Sequence, residues 1–172
     1  MESRDSVIAE LEKVPARVQE VDYRQRGYHL EVLLESEHLR AFAQALRTGD
    51  FYLSFVSGLH VRPAIEVSYQ FANYSFPCRL LARVAVDEDN SLPTISDIFQ
   101  GADWHERETK DFFGVVFRGH PNLKPLLLAE DMEDLKPLLK KDEKLKDRAA
   151  VTRAEQSGDE QSPAPGGGEE GA

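Results

Sequence analysis

The sequence predicts an α+β fold: an antiparallel or mixed β-sheet covered by helices, followed by an extended C-terminal arm and a disordered acidic tail. Three observations carry that prediction. Three runs of period-2 alternation follow one another with no helix between them, two amphipathic helical stripes precede them, and apolar residues thin out toward the C-terminus.

The elements follow in chain order. Val7, Leu11 and Val14 share one helical face in the stretch from Asp5 to Val14, which Pro15 stops. Tyr28, Leu30, Val32 and Leu34 alternate with His29, Glu31 and Leu33 as a strand. Ser36 is placed to cap a second helix, whose stripe is Leu39, Phe42, Ala43 and Leu46 and whose stop is Gly49. Then come the strands "FYLSFV", "AIEVSYQF" and "CRLLARVAV". In the third, Leu80, Ala82, Val84 and Val86 face one way while Arg79 and Arg83 face the other as a polar face. The linkers "SGLHVRP" and "NYSFP" are too short for a parallel crossover, so these three form an antiparallel meander with helices over one face. Thr94 and Asp97 resemble a capping box. A last helix runs from Ala102 to Phe113 and ends at Gly114.

The predicted organisation is an α+β domain over 1–114, an extended docking arm over 115–142, and a charged linker with an acidic tail over 143–172. From Glu155 on there is no aromatic or large aliphatic residue and no base. Such a segment buries too little to offset its ordering entropy.

Composition excludes several functions. The 172 residues hold 21 Lys and Arg against 31 Asp and Glu, and a net charge of −10 argues against a nucleic-acid partner. Cys78, the one cysteine, supplies neither an internal disulfide nor an iron–sulfur ligand set, and beside Pro77 it reads as a small buried hydrophobe. The charged N-terminus has no apolar signal core, and no apolar run is long enough to span a bilayer, so a soluble or peripheral cytoplasmic chain is expected.

The chemistry-bearing stretch is "GADWHERETKDFFGVVFRGHPNLKPLLL", from Gly101 to Leu128. On a helix, Trp104 and Phe112 lie about 80° apart with Glu108 between them, which predicts a carboxylate inside an apolar stripe and an Arg to meet it, Arg107, Arg118 or a partner's. Glu106 and Lys110 form an i, i+4 pair on the opposite, solvated side, and Arg107 with Asp111 forms another. His105-Glu106 begins like a zincin motif, but Thr109 stands where the second His is needed, so no metal is predicted. Glu106, Glu108 and Asp111 could form an acid/base set, yet no nucleophile, glycine-rich loop or oxyanion device accompanies them. His29, His38 and His60 are isolated and read as surface or capping histidines.

Taken in order, Glu106-Arg107-Glu108, Asp111, Phe112-Phe113, Gly119-His120-Pro121, Lys124 and Leu126-Leu127, with Trp104 before them, resemble the signature of the "30 kDa subunit" family of respiratory complex I. The preceding "VAVDEDNSLPTISDIFQGADW" is similar to that family as well, while "AEDMEDLKPLLKKDE" departs from it. The resemblance implies a non-catalytic peripheral-arm subunit of a proton-translocating NADH:quinone oxidoreductase, on the cytoplasmic side of the inner membrane. It implies no cofactor on this chain, FMN, iron–sulfur clusters and quinone in other subunits, and packing against the large subunit that forms the quinone cavity. Family relatives also serve membrane-bound [NiFe] hydrogenases, formate hydrogenlyases and deazaflavin-dependent dehydrogenases, and a free soluble acid/base enzyme is the alternative of another class. Leu123 and Leu126 to Leu128, between prolines, are the expected docking anchors.

Overall fold

The computed structural model describes residues 4–11, 13–132, 135–140, 145–148 and 150–151. The acidic tail expected from Glu155 lies outside the described residues. The chain folds as a mixed α+β structure.

Helix α1 (Arg4–Leu11) buries Val7 and Leu11. Strand β1 (Ala16–Glu20) and the short helix α2 (Tyr23–Arg26) precede β2 (Leu30–Leu34). β1 and α2 escape a pattern reading because β1 has only two apolar residues and α2 buries none. Local chemistry makes α2: the Asp22 side chain accepts the Arg24 N–H, and Gly27 closes the helix with a left-handed φ of 75°. Helix α3 (Leu39–Thr48) buries Leu39, Phe42, Ala43 and Leu46, the stripe its sequence predicts. Its entry differs from the expectation. Ser36 opens a short 3-10 turn and makes no cap; its hydroxyl instead donates to Asp87, a long-range partner that local sequence cannot reveal.

Strands β3 (Phe51–His60), β4 (Ile65–Asn73) and β5 (Arg79–Ala85) form the predicted antiparallel meander. The α3 crossover places β2 parallel to β5, with Val32 opposite Ala82, and the five-stranded order is β1-β2-β5-β4-β3. Leu30, Val32, Val67, Tyr69, Phe71, Leu80, Ala82 and Val84 project to one face and meet the helices in a single core. Cys78 is buried, as its apolar setting predicts. On the opposite face Arg83 is 7% exposed and bridges two acids, Glu31 through Nε at 2.7 Å and Glu66 through Nη1 at 3.1 Å. Arg148, returning from the C-terminal side, reaches the other Glu66 oxygen at 2.9 Å. Here buried charges are paired, which is the condition for tolerating them.

After the meander, β6 (Ser91–Pro93) pairs in parallel with β7 (Val116–Arg118), and helix α4 (Ala102–Phe113) connects them. The turn before α4 is not a capping box. Thr94 Oγ1 accepts the Ser96 N–H locally, and Asp97 is taken by Arg40 at 2.7 Å. Val115 and Phe117 extend the core beyond α4. The helix stops where predicted, with Gly114 at φ 74° and its N–H donating to Lys110 O at 2.7 Å. Its C-terminal end is seated on β3 at Gly58, where an added Cβ would lie 2.5 Å from the Phe113 ring. Only glycine permits that approach.

Candidate functional site: helix α4 and the strap it holds

Helix α4 does not turn its aromatic side inward. Its buried residues are Ala102, Glu106, Thr109, Asp111 and Phe113, while Trp104 is 67% exposed. Two predictions are therefore corrected. Glu108 is not a buried carboxylate: its side chain is 44% exposed, with His105 Nδ1 at 3.8 Å as an i, i+3 neighbour. Glu106 is not solvated: it is fully buried. The reason is that 102, 106, 109 and 113 recur at helical spacing and close against the sheet, and the large aromatic at 104 lies off that line. Neither arginine named for Glu108 meets it. Arg118 pairs with Asp87 at 2.8 Å, and Arg107 goes elsewhere.

The polar face of α4 is spent on the backbone of the following segment. Arg107 donates through Nε to Lys124 O at 3.0 Å and through Nη2 to Pro125 O at 2.8 Å. Lys110 Nζ donates to Leu123 O at 3.0 Å. Asp111 Oδ2 accepts three consecutive amides, Leu126 and Leu127 at 2.8 Å and Leu128 at 3.2 Å. Residues 103, 107, 110 and 111 share one side of the helix, and this side binds a strap running from Gly119 to Leu128. Gly119 enters the strap at φ 81°, Pro121 and Pro125 keep it from regular structure, and the His120 imidazole, fully buried, places Nε2 at 3.3 Å from Asp103 O while Nδ1 accepts the Asn122 N–H at 3.0 Å.

Backbone and side chains of the strap thus face different ways. The N–H and C=O groups are pinned to α4, Leu123, Leu126 and Leu128 are half-buried, and Leu127 is 61% exposed. Trp104, Glu108 and the half-buried Phe112 occupy the remaining face of α4.

Electrostatics separate the acids. Burial tends to raise the Asp111 carboxyl, but the three leucine amides and nearby Lys110 hold it below its ordinary value. Burial likewise raises Glu106, and there it prevails, to about 7, against the Ile95 N–H and Thr94 hydroxyl, with Asp103 and Asp97 adding to the rise. Glu106, Glu108 and Asp111 do not converge: one is sealed, one projects outward, and one is occupied by amides. Of the isolated histidines, His29 and His60 accept the Arg79 and Lys140 amides through Nδ1, neither of them at a helix start, and His38 Nε2 lies 3.2 Å from Glu37 without capping α3.

The model of the "Respiratory-chain NADH dehydrogenase, 30 Kd subunit" family matches residues 32–149. The chain belongs to that family. An NADH-quinone oxidoreductase subunit of Mycobacteroides abscessus is 33% identical over 145 residues, covering 75% of this chain and 64% of the relative. An NADH-quinone oxidoreductase subunit of Roseiflexus sp. (strain RS-1) is 43% identical over 72 residues, 41% of each chain. An F(420)H(2) dehydrogenase subunit of Methanosarcina mazei is 34% identical over 102 residues, 58% of this chain and 65% of that one. The chain thus spans 41% to 65% of the length of these curated relatives. A trypsin-resistant fragment of Nqo5 superposes with a TM-score of 0.55 at 27% identity, covering 69% of this chain and 98% of the fragment. A chain of an archaeal membrane-bound sulfane sulfur reductase shares the fold at 24% identity, with a TM-score of 0.68 over 87% and 88% of the two chains. Among the described residues no helix is long and apolar enough to cross a membrane.

The family signature therefore has a structural reading. Arg107 and Asp111 hold the strap, Glu106 and His120 fill the interior beneath it, and Phe113 seats the helix on Gly58. Sequence reasoning missed Thr94 and Ile95 as partners of Glu106, and Ser96 as the partner of Thr94. Their signal, a Thr-x-Ser turn 10 to 12 residues before a helical acid, is too weak to read without coordinates.

Proposed function

We propose that this chain is a non-catalytic peripheral-arm subunit of a proton-translocating NADH:quinone oxidoreductase, held by the complex at the cytoplasmic side of the inner membrane. It contributes shape and a docking surface; FMN, iron–sulfur clusters and quinone belong to other subunits. Family membership supports the reading, and one observation carries it further: α4 spends its charged groups on the strap's backbone, leaving Leu127 and Trp104 turned outward. Exposed anchors on an ordered frame are what a subunit interface needs, with the ordering cost already met within the chain. Gly119 to Leu128 with the outer face of α4 is the docking arm, and the large quinone-cavity subunit is its partner.

The test is the double substitution Leu126→Ser/Leu127→Ser. Each anchor buried at an interface is worth about 1.5–3 kcal/mol, so co-purification of the large subunit should fall sharply while the chain itself stays folded by circular dichroism. Undiminished co-purification places the interface elsewhere. A second reading, a subunit of a deazaflavin-dependent dehydrogenase, is favoured by the Methanosarcina mazei relative, and the identity of the co-purified electron-input subunits separates the two. The stand-alone acid/base reading gains nothing from the arrangement, since its three carboxylates share no face.

A further inference from the structure

Beneath the strap lies a buried hydrogen-bond chain that docking does not use. One Glu106 oxygen accepts the Ile95 N–H at 2.9 Å, and the other lies 2.5 Å from Thr94 Oγ1. Thr94 Oγ1 lies 2.8 Å from Ser96 Oγ and also accepts the Ser96 N–H at 3.1 Å. All three side chains are buried.

The groups facing Glu106 come from every element packed around it. Asp103 is on its own helix, Asp97 on the turn after β6, Tyr69 on β4, Arg40 on α3 and His120 on the strap. Arg40 is committed to Asp97 through two bonds of 2.8 and 2.7 Å and to Thr94 O at 2.6 Å. The Tyr69 hydroxyl is buried with no hydrogen-bond partner among the described residues. His120 Nδ1 is occupied as an acceptor, which assigns the neutral ring's proton to Nε2, 3.9 Å from the Glu106 carboxylate. Among the described residues, then, no Lys or Arg pairs with Glu106, and two acids stand close. A charge in that position is poorly compensated.

The hydroxyl chain serves either protonation state. With Glu106 ionised, Thr94 donates to it and Ser96 donates to Thr94. With Glu106 protonated, its O–H donates to Thr94, whose own hydroxyl turns to donate to Ser96. A hydroxyl has one donor and two acceptor positions, and Thr94 fills the same number in both cases.

We propose that Glu106 is a reversible proton-binding site: the folded chain takes up one proton there, the Thr94–Ser96 pair reverses direction to receive it, and the charge state of that carboxyl sets the stability of the β6–α4–strap frame. This holds for the chain alone, whatever complex receives it. The folded carboxyl titrates at about 7 against an ordinary 4.5, so the folded state binds more protons between those values. Stability is full at the acid end of that window and is lost as pH rises through it, by up to about tenfold in the folding constant per pH unit.

The experiment uses the full-length chain with carbon-13-labelled glutamate side chains. The Glu106 carboxyl carbon and the Ile95 amide should titrate together with a midpoint near 7, and Asp103→Asn should lower that midpoint. In urea unfolding across the same range, Glu106→Gln should abolish the fall in stability that the unsubstituted chain shows. A midpoint in the ordinary carboxylate range, or a Gln variant that keeps the slope, overturns the proposal. Should Glu106→Gln fail to fold, the titration of the unsubstituted chain and of Asp103→Asn decides.

Discussion

Asp111 and Glu106 sit five residues apart on one helix, both buried, and the protein treats them oppositely. Asp111 is kept ionised and Glu106 is pushed toward its neutral form. Burial is common to both, so burial does not decide. Asp111 Oδ2 collects three backbone amides with Lys110 beside it, whereas Glu106 has one amide, one hydroxyl and two acidic neighbours. A buried carboxylate's state follows the count and charge of what faces it. On α4 this yields an anionic clamp for the strap and, about one and a half turns away, a carboxyl that belongs to the interior.

Removing the clamp is the strongest way to break the comparison. Asp111→Ala leaves three strap amides without their charged acceptor, and hydrogen bonds to charged groups are worth about 1.5–3 kcal/mol each. Because water replaces part of that bonding, the expected net loss is about 3 kcal/mol by urea unfolding, with new protease cuts between Leu123 and Leu128. An uncut, equally stable variant means the strap is held by something else. The pH dependence sharpens the same contrast. Asp111, with its folded value lowered, contributes stability that is full above the ordinary 3.8 and lost as pH falls through the lowered value. That sign is opposite to the Glu106 effect, so the unsubstituted chain should be most stable between the two windows, and Asp111→Asn should remove the acid limb only.

The next effect is at the helix's seat. In Gly58→Ala the new methyl lies 2.5 Å from the Phe113 ring, and the neighbour is a core aromatic with little room to move. Overpacking of this kind costs about 1–3 kcal/mol. A melting temperature equal to that of the unsubstituted chain would show that α4 shifts along β3 without penalty.

The frame of the molecule was legible in the sequence and the facing of its helix was not. Strands β2 to β5 and helix α3 announce themselves because each carries several apolar residues at one period, and the limits of α4 follow from Gly101 and Gly114. β6 and β7 are three residues each and owe their existence to each other, a long-range pairing that no local pattern encodes. For α4, Trp104 outweighs Ala102, Glu106 and Thr109 in any hydrophobic count, yet the inward line is 102, 106, 109 and 113, closed by a glycine on another strand. Of the strap's leucines only Leu127 is exposed, while Leu123, Leu126 and Leu128 are half-buried, and the polar clasp that holds them left no trace in side-chain pattern, since Arg107, Lys110 and Asp111 bind backbone.

The smallest expected effect tests that facing directly. Glu108 differs from its two fellow acids in having no backbone donor among the described residues: its ion-pairing neighbour there is the His105 imidazole, Nδ1 at 3.8 Å, and its side chain is 44% exposed. An exposed i, i+3 pair is screened by water and contributes little. Glu108→Gln should therefore change the unfolding free energy of the chain by no more than about 0.5 kcal/mol, against the several-fold larger loss at Asp111. If the outer face of α4 docks, Glu108→Gln should still alter assembly into the complex, because there the carboxylate meets a partner instead of water. A large loss of stability in the free chain would reverse the assignment and place Glu108, not Glu106, against the sheet.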